Sequence, residues 1–166
     1  GCRELGGRAA GRGPPGREGA LRLPCTFLLR VLEVGESRGG VAEGAWKSDA
    51  EVDGIAFPAW AKKFGWKAVG AGTHEVGGRH TRTVYYENPK GRTAAYTIVS
   101  GPALDVPGDA RTVRVAGTEL SVFTADGREI VTWERGGRTC VLTAAGVPTG
   151  KLLDLAAWKG KGAIPF

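Results

Sequence analysis

The sequence predicts an α+β domain: a curved antiparallel sheet of about six strands, joined by hairpins in a meander, with two short helices, one of them C-terminal. Three observations carry this. Thr, Val, Tyr and Trp recur at alternating positions between residues 80 and 143, the period of a pleated strand. Gly-containing turn pairs separate those runs. An apolar stripe at helical spacing sits at each end of the strand-rich part. Gly supplies 28 of the 166 residues, against a usual share of about 7%. The glycines lack the three-residue period of collagen.

Residues 1–52 read as a linker-like N-terminal segment, disordered over residues 1–20, where Gly, Arg and Pro dominate and Leu5 is the one large apolar residue. Within the segment, residues 21–34 (LRLPCTFLLRVLEV) form its one apolar stretch, with Phe27, Leu28, Val31 and Leu32 fitting a short helical stripe. Residues 35–52 return to linker character around Trp46. The absence of Met predicts a fragment, a processed chain or a trimmed one.

From residue 53 the composition changes, and residues 53–160 are expected to form the folded domain, with 161–166 as a tail. Phe57, Trp60, Ala61 and Phe64 stand at the spacing of one helix face, with Pro58 in the first turn and Gly65 as the stop. Residues 66–70 form a short strand candidate. His80 to Glu87 and Arg92 to Val99 pair across the turn Asn88-Pro89-Lys90-Gly91, with Ala94, Tyr96 and Ile98 on one face. Residues 101–109, with two prolines, form a loop. Thr118 to Thr124, Arg128 to Glu134 and Arg138 to Thr143 complete the meander. They turn at Asp126-Gly127 and Gly136-Gly137, and pair Leu120 with Val122, Val131 with Trp133 and Cys140 with Leu142 as same-face residues. Thr149 is the expected cap of a final helix carrying Leu152, Leu155 and Ala156, with Lys159 in its last turn and Gly160 beyond.

The chemistry is sparse. Cys2, Cys25 and Cys140 form neither a disulfide framework nor a metal pair, and Cys140 reads as a small core residue. The formal net charge of +6 is spread among interspersed acids, which does not concentrate a nucleic-acid surface. No apolar run is long enough to span a bilayer. No G-x-S-x-G, P-loop or H-E-x-x-H occurs, and no cofactor or metal is expected. His74 and His80, flanking Gly77-Gly78, would face each other across a hairpin and with Glu75 or Glu87 form a proton-transfer pair or a weak metal site; two exposed loop histidines are the favoured reading. Tyr85 and Tyr86 must point to opposite faces, so at least one points away from the main core. Tyr85, Tyr86, Arg82 and Trp133 are the candidate ligand- or partner-contact residues.

Several segments carry a family resemblance: Asp53 to Trp60, Phe64 to Gly70, Thr83 to Tyr86, Tyr96 to Gly101, Val131 to Gly137, and Cys140 to Leu142 through Leu152 to Trp158. Together, from residue 53 to about 160, they resemble the membrane-distal part of anti-sigma-factor-like transmembrane proteins of high-GC bacteria. The resemblance implies a non-enzymatic, extracytoplasmic sensor or protein-interaction domain of a membrane-bound regulator, with a protein partner or a small apolar ligand and no nucleic acid. The N-terminal zinc-binding module and membrane helix of that family have no counterpart here, so sigma-factor binding is not carried over. The rival reading is a small carrier of a hydrophobic ligand or lipid, with an apolar pocket in the curved sheet. An enzyme using His74 and His80 is third.

Overall fold

The computed structural model describes residues 51–159. The expectations for residues 1–50, including the apolar stretch 21–34 and Trp46, and those for Gly160 and the tail lie outside them.

Two antiparallel meanders lie side by side in one seven-stranded sheet that does not close. The first is β3 (Lys67–Val76), β4 (Arg79–Glu87) and β5 (Thr93–Val99); the second is β6 (Arg111–Val115), β7 (Thr118–Ala125), β8 (Arg128–Arg135) and β9 (Arg138–Ala144). They join where β5 pairs with β9, giving the order β3-β4-β5-β9-β8-β7-β6. A short ribbon, β1 (Glu51–Val52) with β2 (Ile55–Ala56), precedes them. Helix α1 spans Ala61–Phe64 and helix α2 spans Thr149–Ala157.

Five two-residue turns explain much of the glycine. Asp53-Gly54, Gly77-Gly78, Ala116-Gly117, Asp126-Gly127 and Gly136-Gly137 each hold both residues at positive φ. That is the turn whose twist matches paired strands. Ala116, at φ 49°, is the one of these ten residues outside Gly and Asp. The β4–β5 turn is built as predicted: Asn88 Oδ1 accepts from the Lys90 and Arg92 amides, and Gly91 N–H donates to Asn88 O.

The sequence expectations need correction at four places. The sheet has seven strands rather than about six, because β6 exists. Its RTVRV pattern is short and carries two exposed arginines, so it reads as loop after the prolines, although it is an ordinary charged edge strand. The first helix is one turn, not residues 57–64. Phe57 and Trp60 are fully buried, but the Pro58 carbonyl is turned to accept the Tyr86 hydroxyl at 2.9 Å, so the chain enters the helix only at Ala61. Gly65 ends it at φ 74°. The strand expected at 66–70 runs on to Val76, with a bulge at Val69 whose side chain turns outward. Finally, Thr149 is the first helical residue and not the cap. Pro148 holds the cap position, and the Thr149 hydroxyl donates to the Glu129 carboxylate instead, pinning α2 to β8. The helix ends at Ala157, so Lys159 lies beyond its last turn.

The pleat divides the sheet into two faces. On the first, Val84 and Tyr86, Ala94, Tyr96 and Ile98, Cys140 and Leu142, Val131 and Trp133, and Leu120 and Val122 line up as the alternation predicts. They pack under Ile55, Phe57, Trp60 and Trp66 from the N-terminal side and Leu152, Leu155, Ala156 and Ala157 of α2. Tyr96 is the hub: its ring meets Phe57 at 5.4 Å, Trp60 at 5.6 Å and Trp133 at 5.3 Å between centroids, all edge-on.

The second face carries every buried threonine: Thr81, Thr83, Thr97, Thr132, Thr139 and Thr143. Beside them, Phe123, Ala125, Ile130 and Val141 form a separate small cluster, with Ala110 packed against it. Since β5 and β6 run parallel with three strands between them, the 100–110 connection must cross the sheet. It crosses on this face, where the Leu104 N–H donates to Thr139 Oγ1 at 2.7 Å.

Candidate functional site

A cavity of about 700 Å³ opens at one end of the sheet. The β6–β7 turn, the end of β8 and the start of β9 form its floor. The 100–110 connection stands on one side and the C-terminal part of α2 on the other. This volume falls within the ordinary range of small-molecule sites, about 300–1,000 Å³.

Its apolar wall is built by Tyr96, Trp133, Leu155 and Trp158. Tyr96 and Trp133 reach it from β5 and β8 because both point to the first face, one on each side of β9. Its charged groups are Glu119, Glu134, Arg135 and Lys159. Arg135 Nη1 donates to Ala56 O at 2.7 Å and to the Tyr96 hydroxyl at 3.4 Å, so one guanidinium joins the N-terminal ribbon to the aromatic wall. Arg138 acts in parallel, donating to Asp53 Oδ2 at 2.7 Å. That hydrogen bond is the main reason the Asp53 carboxyl sits below its ordinary range. Thr118 also lines the floor, while its Oγ1 is buried and has no hydrogen-bond partner among the described residues. An atom without accessible surface is out of reach of anything in the cavity, so this hydroxyl is a cost the fold carries.

The four sequence-predicted contact residues do not converge. Trp133 is buried and lines the cavity. Tyr86 is wholly buried beneath Trp60, 4.5 Å between ring centroids, with its hydroxyl spent on Pro58 O. Tyr85 lies on the opposite face, half-buried, which raises the pKa of its phenol. Arg82 shares the face of Tyr86 but stands opposite Ile98, and its Nε is buried without a partner among the described residues.

His74 and His80 do not face each other. His74 pairs with Thr81 and His80 with Glu75, which places the two rings on opposite faces. Both lie in strands rather than a loop; His80 is exposed and His74 half-buried. Cys140 is fully buried, and burial pushes its thiol up to about 11. Burial also raises Tyr96, whose hydroxyl contacts the thiol. Among the described residues no group of three His, Cys, Asp or Glu is placed to hold a metal ion, and no helix is long and apolar enough to cross a membrane.

Sequence reasoning finds Tyr96, Trp133 and Trp158 as aromatics that could line a pocket, but it misses Thr118, Glu119, Arg135 and Leu155. Each is ordinary in its own segment. They meet only because α2 folds back over the end of the second meander, and no local pattern signals that. No protein-family model, no curated protein and no solved structure matches the chain.

Proposed function

We propose that residues 53–159 form a non-catalytic binding domain, a sensor or protein-interaction module of the extracytoplasmic kind implied by the resemblance to anti-sigma-factor-like regulators, and that the cavity under α2 is its recognition site. The observation that carries this reading is a cavity of about 700 Å³ lined together by the aromatic rings of Tyr96, Trp133 and Trp158 and by the charged groups of Glu119, Glu134 and Arg135. Such a pocket suits an amphipathic group, a small molecule or a partner's side chain, that offers a flat apolar body and a hydrogen-bonding end. The charged groups weigh against the alternative of a carrier for an acyl chain, which would meet Glu119, Glu134 and Arg135 at unfavourable cost. The separation of His74 from His80 weighs against proton-transfer chemistry at that hairpin.

The test uses Ala103, an exposed cavity residue on the 100–110 connection. Ala103→Trp fills the opening without touching the core. Thermal melts across a panel of amphipathic small molecules should show compounds that stabilise the unaltered chain, and Ala103→Trp should abolish that shift while keeping its own melting temperature within a few degrees. Identical responses of the two chains to every compound would remove the cavity as the site.

A further inference from the structure

The cavity lies where the sheet comes apart. β7 and β8 pair from the turn at Asp126-Gly127 as far as Ser121 with Thr132, and no further. Each strand then runs on for three residues without the other. Thr118 to Leu120 stay paired with β6, and Trp133 to Arg135 stay paired with β9. The two hairpins thus diverge like the limbs of a fork, and both limbs line the cavity. So do both faces of the sheet: Trp133 and Arg135 belong to the first, Glu119 and Glu134 to the second. That is the lining of a gap in a sheet rather than of a hollow on one side of it.

The register supplies a reason for the split. Two steps beyond Ser121 and Thr132 it would set Glu119 directly opposite Glu134, on the same face. Like charges directly opposite each other destabilise a strand pair. The split also leaves backbone groups open. A two-residue turn makes its flanking residues a hydrogen-bonded pair, here Val115 with Thr118 and Arg135 with Arg138. Alternating from there, Thr118 and Leu120 turn their N–H and C=O to β6, and Trp133 and Arg135 turn theirs to β9. The N–H and C=O of Glu119 and of Glu134 therefore point into the split, with no backbone partner among the described residues. Two open strand edges facing each other across a cavity can receive a further strand.

We propose that the split between β7 and β8 takes an extended peptide segment of a partner protein, with a basic residue set between Glu119 and Glu134. The proposal rests on the cavity being the recognition site and names the class of its ligand. The open edges are three residues long on each side, which an extended chain of the same length matches at about 10 Å. Its main chain meets Glu119 on one side and Glu134 on the other. It runs parallel to one strand and antiparallel to the other, because β7 and β8 are themselves antiparallel. The side chain it places on the second face lies between two carboxylates, which selects Lys or Arg. Glu119 is otherwise held only by Arg114, at 3.5 Å on the surface, and Glu134 has no ion pair among the described residues. The neighbouring side chains of the segment fall on the first face, where Trp133 and Leu155 form an apolar wall.

Amide hydrogen exchange, read by NMR on the full chain, tests it. In the free chain the Glu119 and Glu134 amides should exchange roughly tenfold or more faster than those of Ser121 and Thr132, which the last shared pair protects. Acetylated and amidated pentapeptides with Lys or Arg between apolar residues should bind and slow both amides together by about tenfold or more. Peptides with Glu at the centre should not bind, and E119K/E134K should reverse that preference. Three results overturn the proposal. One is slow exchange of both amides already in the free chain, which means that the edges are paired. Another is peptide binding that leaves both amides fast, which is side-chain docking and keeps the cavity reading. The third is no peptide binding while amphipathic small molecules still raise the melting temperature, which also keeps that reading. If neither peptides nor small molecules bind, the cavity reading falls and the strand proposal with it. The exchange measurements use the unaltered chain, so they decide whether or not the variant folds.

Discussion

On the first face of the sheet, Phe57, Trp60, Tyr86, Tyr96 and Trp133 pack ring against ring; on the second, six threonines, Phe123 and a few aliphatic side chains fill the same pleat. Both faces are buried, but one rests on apolar area and the other on small side chains whose hydroxyls are individually satisfied. The difference shows what it takes to bury a strand on both sides. A threonine is compatible with burial once its Oγ1 bonds within its own sheet, because its remaining surface is a methyl group. The same comparison explains why the central strands β5, β8 and β9 lose strict alternation, whereas the edge strand β6 keeps its polar residues exposed.

The largest effect that would break this comparison is removal of the aromatic hub. Tyr96→Ala should cost about 3–5 kcal/mol in urea unfolding, by the cavity it leaves under Phe57, Trp60 and Trp133. A loss below about 1 kcal/mol would mean that the first face does not rest on these rings.

On the second face the test is a double-mutant cycle. Thr83→Val alone should cost about 1–2 kcal/mol, because the buried Thr97 hydroxyl loses its partner. Thr83→Val with Thr97→Val should recover most of that loss, since two methyls replace two mutually satisfied hydroxyls of the same shape. Additive losses would show that the pair is not the unit.

Alkaline pH loads the first face more heavily than the second, where half-buried Tyr85 is also raised by burial. Burial raises the pKa of Cys140, Tyr86 and Tyr96, all on the first face, so the folded state holds their protons longer than the unfolded chain does. Their stabilisation is fully present below the ordinary thiol value of 9.0 and is lost as pH rises from there through about 11 for Cys140, with the tyrosines following. Melting temperature should therefore fall steadily above pH 9. Tyr86→Phe should flatten part of the decline at the most alkaline end, whereas Thr83→Val should leave the slope unchanged.

The smallest effect lies at the β6–β7 turn. Ala116 occupies a left-handed position that costs a residue with a Cβ about 1 kcal/mol. Ala116→Asn should recover about 0.5 kcal/mol by chemical denaturation, because Asn-Gly suits this turn; a destabilised variant would contradict the turn assignment.

Much of the fold was legible because its signals are local. Asp126-Gly127 and Gly136-Gly137 announce hairpins, and the alternation through Tyr96, Trp133 and Leu142 places those side chains on one face correctly. The site was less legible. Trp133 reaches the cavity, but Tyr85, Tyr86 and Arg82 do not line it, because adjacent residues of a strand part to opposite faces and long-range packing then sorts them. Thr149 shows the same limit: its cap signal is real, yet the Glu129 carboxylate two strands earlier takes its hydroxyl.

By itself the sequence determined most of the antiparallel strands, β6 and the far half of β3 excepted, and the inward residues of those it found, since backbone sterics and side-chain periodicity act over a few residues. Only the tertiary structure decided how the two meanders join, with β5 beside β9. It also decided that the 100–110 connection crosses the sheet, and that Arg135 and Arg138 hold the N-terminal ribbon against the β8–β9 turn. Those outcomes depend on covering both faces of one sheet at once, a requirement spread over the whole chain rather than written in any segment.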